Sequence, residues 1–186
     1  MKYKTIVVDP PWKYGKWGKA STAAFLVSGI REETNKEIPL PYSSMSNDEI
    51  SLLPIHNLAD NDCELYLWTT QKYLPVAFGI LKGWGFKYCE TLIWCKEPRG
   101  TGQGGLFTPT AEFILHGRVG KMPHKKRIDT TWWKVTRPHN SHSTKPECFQ
   151  DIIESVSDAP RLEMFARRQR DGWDVFGNEV EGSIEL

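Results

Sequence analysis

Length, composition and charge exclude more than they identify. At 186 residues the chain can bury one full core but is too short to carry a separate targeting module, and 24 Lys plus Arg against 23 Asp plus Glu say nothing about a partner. No stretch approaches the roughly 18 apolar residues of a membrane span, and the N-terminus lacks a charged-then-apolar signal pattern, so the sequence reads as a soluble cytoplasmic protein of one domain, 1–186, without a membrane contact. Cys63, Cys89, Cys95 and Cys148 form no CxxC pair and the five histidines show no ligand spacing. No zinc site, disulfide framework or other metal centre is implied, and the thiols read as reduced and mostly buried.

Ile6, Val7 and Val8 open the chain with a short β-branched run of the kind that fills a central strand. Asp9 stands at its carboxyl end, and Pro10 and Pro11, which cannot donate to a ladder, force the chain out of the sheet in one stiff direction. Residues 13–41, containing Gly, Ser and Lys, are too long for an ordinary connection and read as a lid or a disordered loop. Ser46, with Glu49 three residues on, signals a capping box for a short helix stopped by Pro54.

Further along, 63–70 reads as a strand and 71–85 as a helix with Pro75 in its first turn and Gly83 or Gly85 at its end. Segments 87–96 and 111–119 read as strands flanking a Gly-rich loop, and 145–156 as a helix with Pro146 near its start. Segments 161–168 and 173–180 read as two last strands. Strands alternating with helices imply an α/β sandwich around a largely parallel sheet.

In such sheets ligands bind at the carboxyl ends of the strands. Asp9 to Trp12, the "FARR" end of the 161 strand and "GNE" at 177–179 all fall there. Glu179 follows Glu163 at close to the spacing of about 20 residues at which an acid binds a nucleotide ribose, but no GxGxxG follows the first strand. A nucleoside-containing cofactor held by acids and amides fits this pattern better than a dinucleotide.

"DPPW" (9–12), "PYSSMSNDEI" (41–50), "LYLWTT" (65–70), "LIWCK" (92–96), "STKPE" (143–147) and "EMFARRQRDGWDVFGNE" (163–179) occur in this order. With these motifs the chain resembles the N6-adenine methyltransferase family that includes the catalytic subunit of the eukaryotic messenger-RNA adenosine methyltransferase and many bacterial and phage enzymes. The resemblance covers nearly the whole chain. It implies an α/β, Rossmann-like S-adenosylmethionine-dependent methyltransferase fold with permuted motif order, the catalytic strand first and the cofactor strands last. It also implies methyl transfer to the adenine amino group in nucleic acid, DNA being favoured over RNA because compact members of this size are similar to prokaryotic and phage enzymes. An RNA adenosine methyltransferase or a catalytically silent nucleic-acid-binding subunit are the alternatives, and a homo- or hetero-oligomer is left open.

Residue by residue, the resemblance assigns the catalytic turn to Asp9, Pro10, Pro11 and Trp12. Cofactor contacts fall to Asp9, Lys145, Glu163, Phe165, Arg167, Asn178 and Glu179, and the target adenine to Tyr42 and Glu112. In the family's eukaryotic member a segment ahead of the first strand holds the cofactor's adenine, whereas this sequence starts at that strand. The adenine amine is a poor nucleophile because its lone pair is delocalised into the ring. Two rigid acceptors, the Asp9 carboxylate and the Pro10 carbonyl, would draw it toward tetrahedral geometry, and Trp12 would offer a stacking face to the extruded base.

Residues 118–145 collect eight Lys and Arg around one acid, Asp129. The expectation is that this segment rims the Asp9 pocket, with Lys125, Lys126 and Arg127 tracking the phosphate backbone; a solvated charge run is the alternative. "TWWK" (131–134) reads either as part of that surface or as a buried aromatic pair.

Overall fold

The computed structural model describes residues 1–13, 44–97, 106–121, 125–136, 144–177, 180–182 and 184, together with the backbone of 15–17 and 33–37. A seven-stranded sheet is built from β1 (Tyr3–Val8), β4 (Ala59–Thr70), β5 (Lys87–Glu97), β6 (Ala111–Val119), β7 (Trp132–Thr136), β8 (Arg161–Met164) and β9 (Trp173–Phe176), in the order β7-β5-β6-β4-β1-β8-β9. Only β6 runs against its neighbours; the other pairings are parallel. The expected largely parallel α/β sheet is therefore present.

Strand β1 is central and buried on both faces, as its unbroken apolar run requires. Ile6 and Val8 enter one core layer with Leu65, Leu67 and Leu115, under the helices α1 (Asn47–Ser51), α2 (Ile55–Leu58) and α3 (Leu74–Gly83). Val7 points to the other face and packs with Tyr66, Trp68, Ile114 and the helix α4 (Cys148–Val156) through Phe149 and Ile153. By the same alternation Asp9 follows Val7 onto the α4 face.

Some boundaries differ from the sequence expectation. Strand β8 stops at Met164 rather than at 168, because Phe165 turns into the left-handed region with φ 63°. Strand β9 stops at Phe176, and Gly177 lies so close to the β8 exit that a Cβ there would stand 2.2 Å from the Ala166 carbonyl oxygen. Within 13–41, read as a lid or a disordered loop, the described backbone pairs as a two-stranded antiparallel ribbon, β2 (Gly15–Trp17) with β3 (Glu33–Glu37), and nearly all the rest of the stretch lies outside the described residues. "TWWK" belongs to edge strand β7, with Trp132 57% exposed and Trp133 half-buried, so it is not a buried pair. Trp68, Trp84 and Trp94 are core residues, as expected. All four cysteines are free, but only Cys63 is fully buried, its thiol pushed up to about 12 chiefly by that burial. Among the described residues no helix is long and apolar enough to cross a membrane.

The capping box is formed. Ser46 accepts from the Glu49 amide at 3.2 Å, and Glu49 accepts from the Ser46 amide at 2.7 Å. Ser46→Ala is expected to cost about 1 kcal/mol in a denaturant titration. An unchanged midpoint would mean that burial of Ile50 alone holds α1.

Candidate active site

The first turn after β1 is held from several sides. The Trp12 amide donates to the Pro10 carbonyl at 2.8 Å, closing a tight three-residue turn, and the Met45 amide donates to the Pro11 carbonyl at 2.8 Å. The Trp12 indole donates to the Trp68 carbonyl at 3.1 Å and stacks on Tyr73, with ring centroids 4.8 Å apart. Trp12 is 3% exposed. This corrects the expectation that it offers an open face to a base: one face lies on Tyr73, and the residue anchors the turn. The Pro10 carbonyl keeps a second lone pair for a ligand donor.

Asp9, at the head of this turn, meets residues from three other elements. Lys145, just ahead of α4, places Nζ 2.7 Å from Asp9 Oδ2 and 3.5 Å from Glu112 Oε2 of β6, and 5.2 Å from the Trp68 ring centroid. Lys96 of β5 completes the row with Nζ 2.5 Å from Glu112 Oε1. Two acids and two lysines thus alternate along a mostly buried line. Burial raises the pKa of Asp9 above the usual range, Lys145 only partly offsetting it. For Glu112 burial is outweighed by Lys145 and Lys96, which hold its carboxyl below that range.

Glu163 of β8 sits beside this row and electrostatically feels Asp9. Its Oε1 accepts from Gln150 Nε2 at 2.9 Å, while Oε2 is buried with no hydrogen-bond partner among the described residues. Burial, opposed by Gln150 and reinforced by Asp9, raises its pKa. A buried carboxylate oxygen without a partner fits a ligand that brings its own hydroxyl or ammonium donor. Phe165 packs edge-on against Phe176, and the Ala166 amide donates to the Phe176 carbonyl at 3.0 Å, so the exits of β8 and β9 are tied together. Arg167 lies near enough to Asp9 to favour its ionised form. A non-glycine residue in the left-handed region at a strand exit is the kind of backbone strain that accompanies ligand sites.

The structure therefore brings together Asp9, Pro10, Pro11, Glu112, Lys145, Glu163, Phe165 and Arg167. Tyr42, Asn178 and Glu179 lie outside the described residues. Lys125, Lys126 and Arg127 do not rim this site. Lys125 forms an ion pair with Asp158 and donates to the Ser157 carbonyl, and the Asp158 carbonyl accepts from Thr5 near the start of β1. Four residues of strand, about 13 Å, separate that level from Asp9. Among the described residues, Lys134 of β7, 2.7 Å from Glu97 Oε1 at the end of β5, and Lys145 ahead of α4 carry the later part of the basic segment to the carboxyl edge. Sequence reasoning passed over two participants. Lys96 stood inside the "LIWCK" motif without a role, and Gln150 was visible as a polar residue between Phe149 and Ile153 on the buried face of α4.

The MT-A70 family profile matches residues 3–179. The chain belongs to the MT-A70 family. Over its full length it is 28% identical to the type II methyltransferase M.MunI of Mycoplasma sp, covering 81% of that protein. It is 25% identical to the human N(6)-adenosine-methyltransferase catalytic subunit METTL3 over 97% of this chain but only 29% of METTL3. To the mouse N(6)-adenine-specific methyltransferase METTL4 it is 27% identical over 96% of this chain and 37% of that protein. The chain thus spans most of M.MunI and well under half of these mammalian relatives. MT-A70 proteins are S-adenosylmethionine-dependent methyltransferases acting on the N6 amine of adenine. When bound, that cofactor supplies an electrophilic methyl group. The acids at the β1 and β8 exits, including the unpartnered Glu163 Oε2, fit its hydroxyl and ammonium donors.

Proposed function

We propose that this chain methylates the N6 amine of adenine in DNA, with Asp9 as the acceptor that activates the amine. The observation that carries the reading is the Asp9–Lys145–Glu112–Lys96 row at the carboxyl end of β1, standing beside an unsatisfied Glu163. Asp9 Oδ and the Pro10 carbonyl accept the two amine N–H groups, drawing the nitrogen out of conjugation with the ring. A carboxylate whose proton affinity is raised by burial also takes the proton released as the new N–C bond forms. Lys145 keeps Asp9 ionised and oriented beforehand, and Glu112 with Lys96 fixes Lys145. Asn178 and Glu179 are assigned to the cofactor ribose by their family match, continuing from Gly177 at the joined β8 and β9 exits.

The DNA substrate is supported by coverage: the type II methyltransferase M.MunI is spanned over 81% of its length, whereas the N(6)-adenosine-methyltransferase catalytic subunit METTL3 is spanned over 29%. Incubation with methyl-labelled cofactor and matched single-stranded DNA, duplex DNA and RNA, followed by nucleoside mass spectrometry, tests this. N6-methyldeoxyadenosine is the expected product. Label only in RNA would overturn the substrate, and label in neither would favour a silent subunit.

Glu163→Ala is expected to weaken S-adenosylmethionine binding by about 1–3 kcal/mol, the scale for stranding a ligand's hydrogen-bond donor. Calorimetry showing unchanged affinity would take Glu163 out of the cofactor site.

A further inference from the structure

A second cavity, of about 440 Å³, lies on the α4 face of the sheet toward the amino end of β4, below the Asp9 level. An aromatic wall partitions the two. Trp68 and Trp133 each meet Phe149 edge-on, at 5.2 and 5.7 Å between centroids, and Trp94 stands 6.3 Å from Trp68. The cavity floor is polar and built. Glu64 Oε2 accepts from the Ser157 hydroxyl at 2.5 Å, Tyr66 shares a 2.7 Å hydrogen bond with the same hydroxyl, and His116 stacks on Tyr66 at 4.8 Å. His116 is 8% exposed, with Nε2 3.5 Å from Glu64 Oε1 and Nδ1 3.8 Å from Glu90 Oε2, while the buried Arg118 Nε beside it has no hydrogen-bond partner among the described residues. Leu92, Ile153, Val156 and Trp133 form an apolar wall, and Lys126 and Arg127, both exposed, stand at the mouth.

We infer that this cavity binds a nucleoside monophosphate, its base edge at the His116–Arg118 floor and its phosphate at Lys126 and Arg127. The volume lies within the roughly 300–1,000 Å³ of small-ligand sites. Arg118 Nε is a donor only, so the floor asks for a ring nitrogen or a carbonyl oxygen. The wall asks for a flat apolar body and the mouth for an anion. A bare phosphate leaves the wall unused, and a fatty acid that brings its carboxylate to the mouth leaves the floor donor unmet. A nucleotide answers all three. None of these groups takes part in the chemistry at Asp9, so the site stands independently of the proposed methyl transfer. It also gives the displaced basic residues Lys126 and Arg127 a purpose at the place where they actually lie.

Two sources carry this chemistry: a free mononucleotide, or a nucleotide of the substrate strand away from the target base. Adenosine 5′-monophosphate is titrated calorimetrically into the full chain saturated with S-adenosylmethionine, and into three variants. Asp9→Ala should bind it as the wild type does. The double variant Lys126→Glu, Arg127→Glu should weaken binding about 10-fold or more through loss of charge-assisted contacts, and Ile128→Trp, which fills the cavity from its loop side, should abolish it. Competition with an oligodeoxycytidylate, which carries no methylatable base, then separates the sources. Displacement of the mononucleotide assigns the site to the strand, and no displacement assigns it to the free nucleotide. The inference is overturned if the wild type binds no nucleotide at millimolar concentration. It is equally overturned if binding is lost in Asp9→Ala but survives Ile128→Trp, which would place the nucleotide in the catalytic pocket.

Discussion

Asp9→Ala should lower methyl-transfer turnover by about 100-fold or more, the scale for losing one preorganised polar group aimed at the reacting atom, while leaving the thermal midpoint near or above that of the wild type. The second half follows from the sign of the pKa shift. Burial raises the carboxyl's pKa in the fold, so the fold favours the protonated form. The associated stability is present below the unfolded-state pKa and lost as pH rises through the folded one. At neutral pH the ionised Asp9 therefore costs the fold something that alanine does not, and the Lys145 ammonium left behind keeps Glu112 as its partner at 3.5 Å. The same shift predicts that kcat/KM falls on the acid side at a pH above the ordinary aspartate range, because the acceptor must be ionised. Labelled-methyl kinetics across pH, beside a melting curve of the variant, check all three. Near-normal turnover in Asp9→Ala would sink the mechanism.

That Asp9 could be picked from the sequence has a physical reason. A β-branched run leaving into two prolines can only be a buried strand that ends abruptly, and an acid at that point has no structural task of its own. The capping box at Ser46 and the proline-started helix α3 were legible on the same footing, since each signal is local in the chain. Chain-distant pairings were not. Nothing in the spacing of Lys96 and Glu112 says that antiparallel β5 and β6 bring them to 2.5 Å, because register between strands joined by a long loop is set by tertiary packing. The reversed β6 was hidden for the same reason. The basic run at 125–127 misled because charge density marks a surface without saying which end of the sheet it occupies. Trp12 misled differently: an aromatic after DPP looks available, but its indole N–H needs a buried partner and finds the Trp68 carbonyl. The early stops of β8 and β9 were invisible to residue pattern because Phe165 is an apolar, strand-compatible residue, whereas its left-handed φ and the close approach of Gly177 to Ala166 arise only in the folded chain.

Lys145→Met is expected to have the largest combined effect, because one ammonium serves two buried acids. Its Nζ contacts Asp9 at 2.7 Å and Glu112 at 3.5 Å with only 14% of the side chain exposed, and a methionine keeps the stem while removing the charge. Removing one member of a buried ion pair costs about 3–5 kcal/mol; the lower end applies here, since Lys96 still neutralises Glu112. The pH dependence separates this account from simple repacking. Lys145 lowers the pKa of both carboxyls, so without it both rise in the folded state. Glu112, depressed in the wild type, contributes stability above its unfolded pKa that is lost as pH falls through its folded value; raising that value removes the contribution. The stability gap between wild type and Lys145→Met should thus be widest at neutral pH and close toward about pH 4, where protonated carboxyls no longer need a cation. In parallel the acid limb of kcat/KM should move to higher pH as Asp9 becomes harder to ionise. Lys145→Arg should restore most of the stability but little of the turnover, because a planar guanidinium cannot occupy the compact ammonium position between two acids. A gap that stays constant across pH, together with an unmoved acid limb, would show that Lys145 acts through packing on Trp68 and not through the charge row.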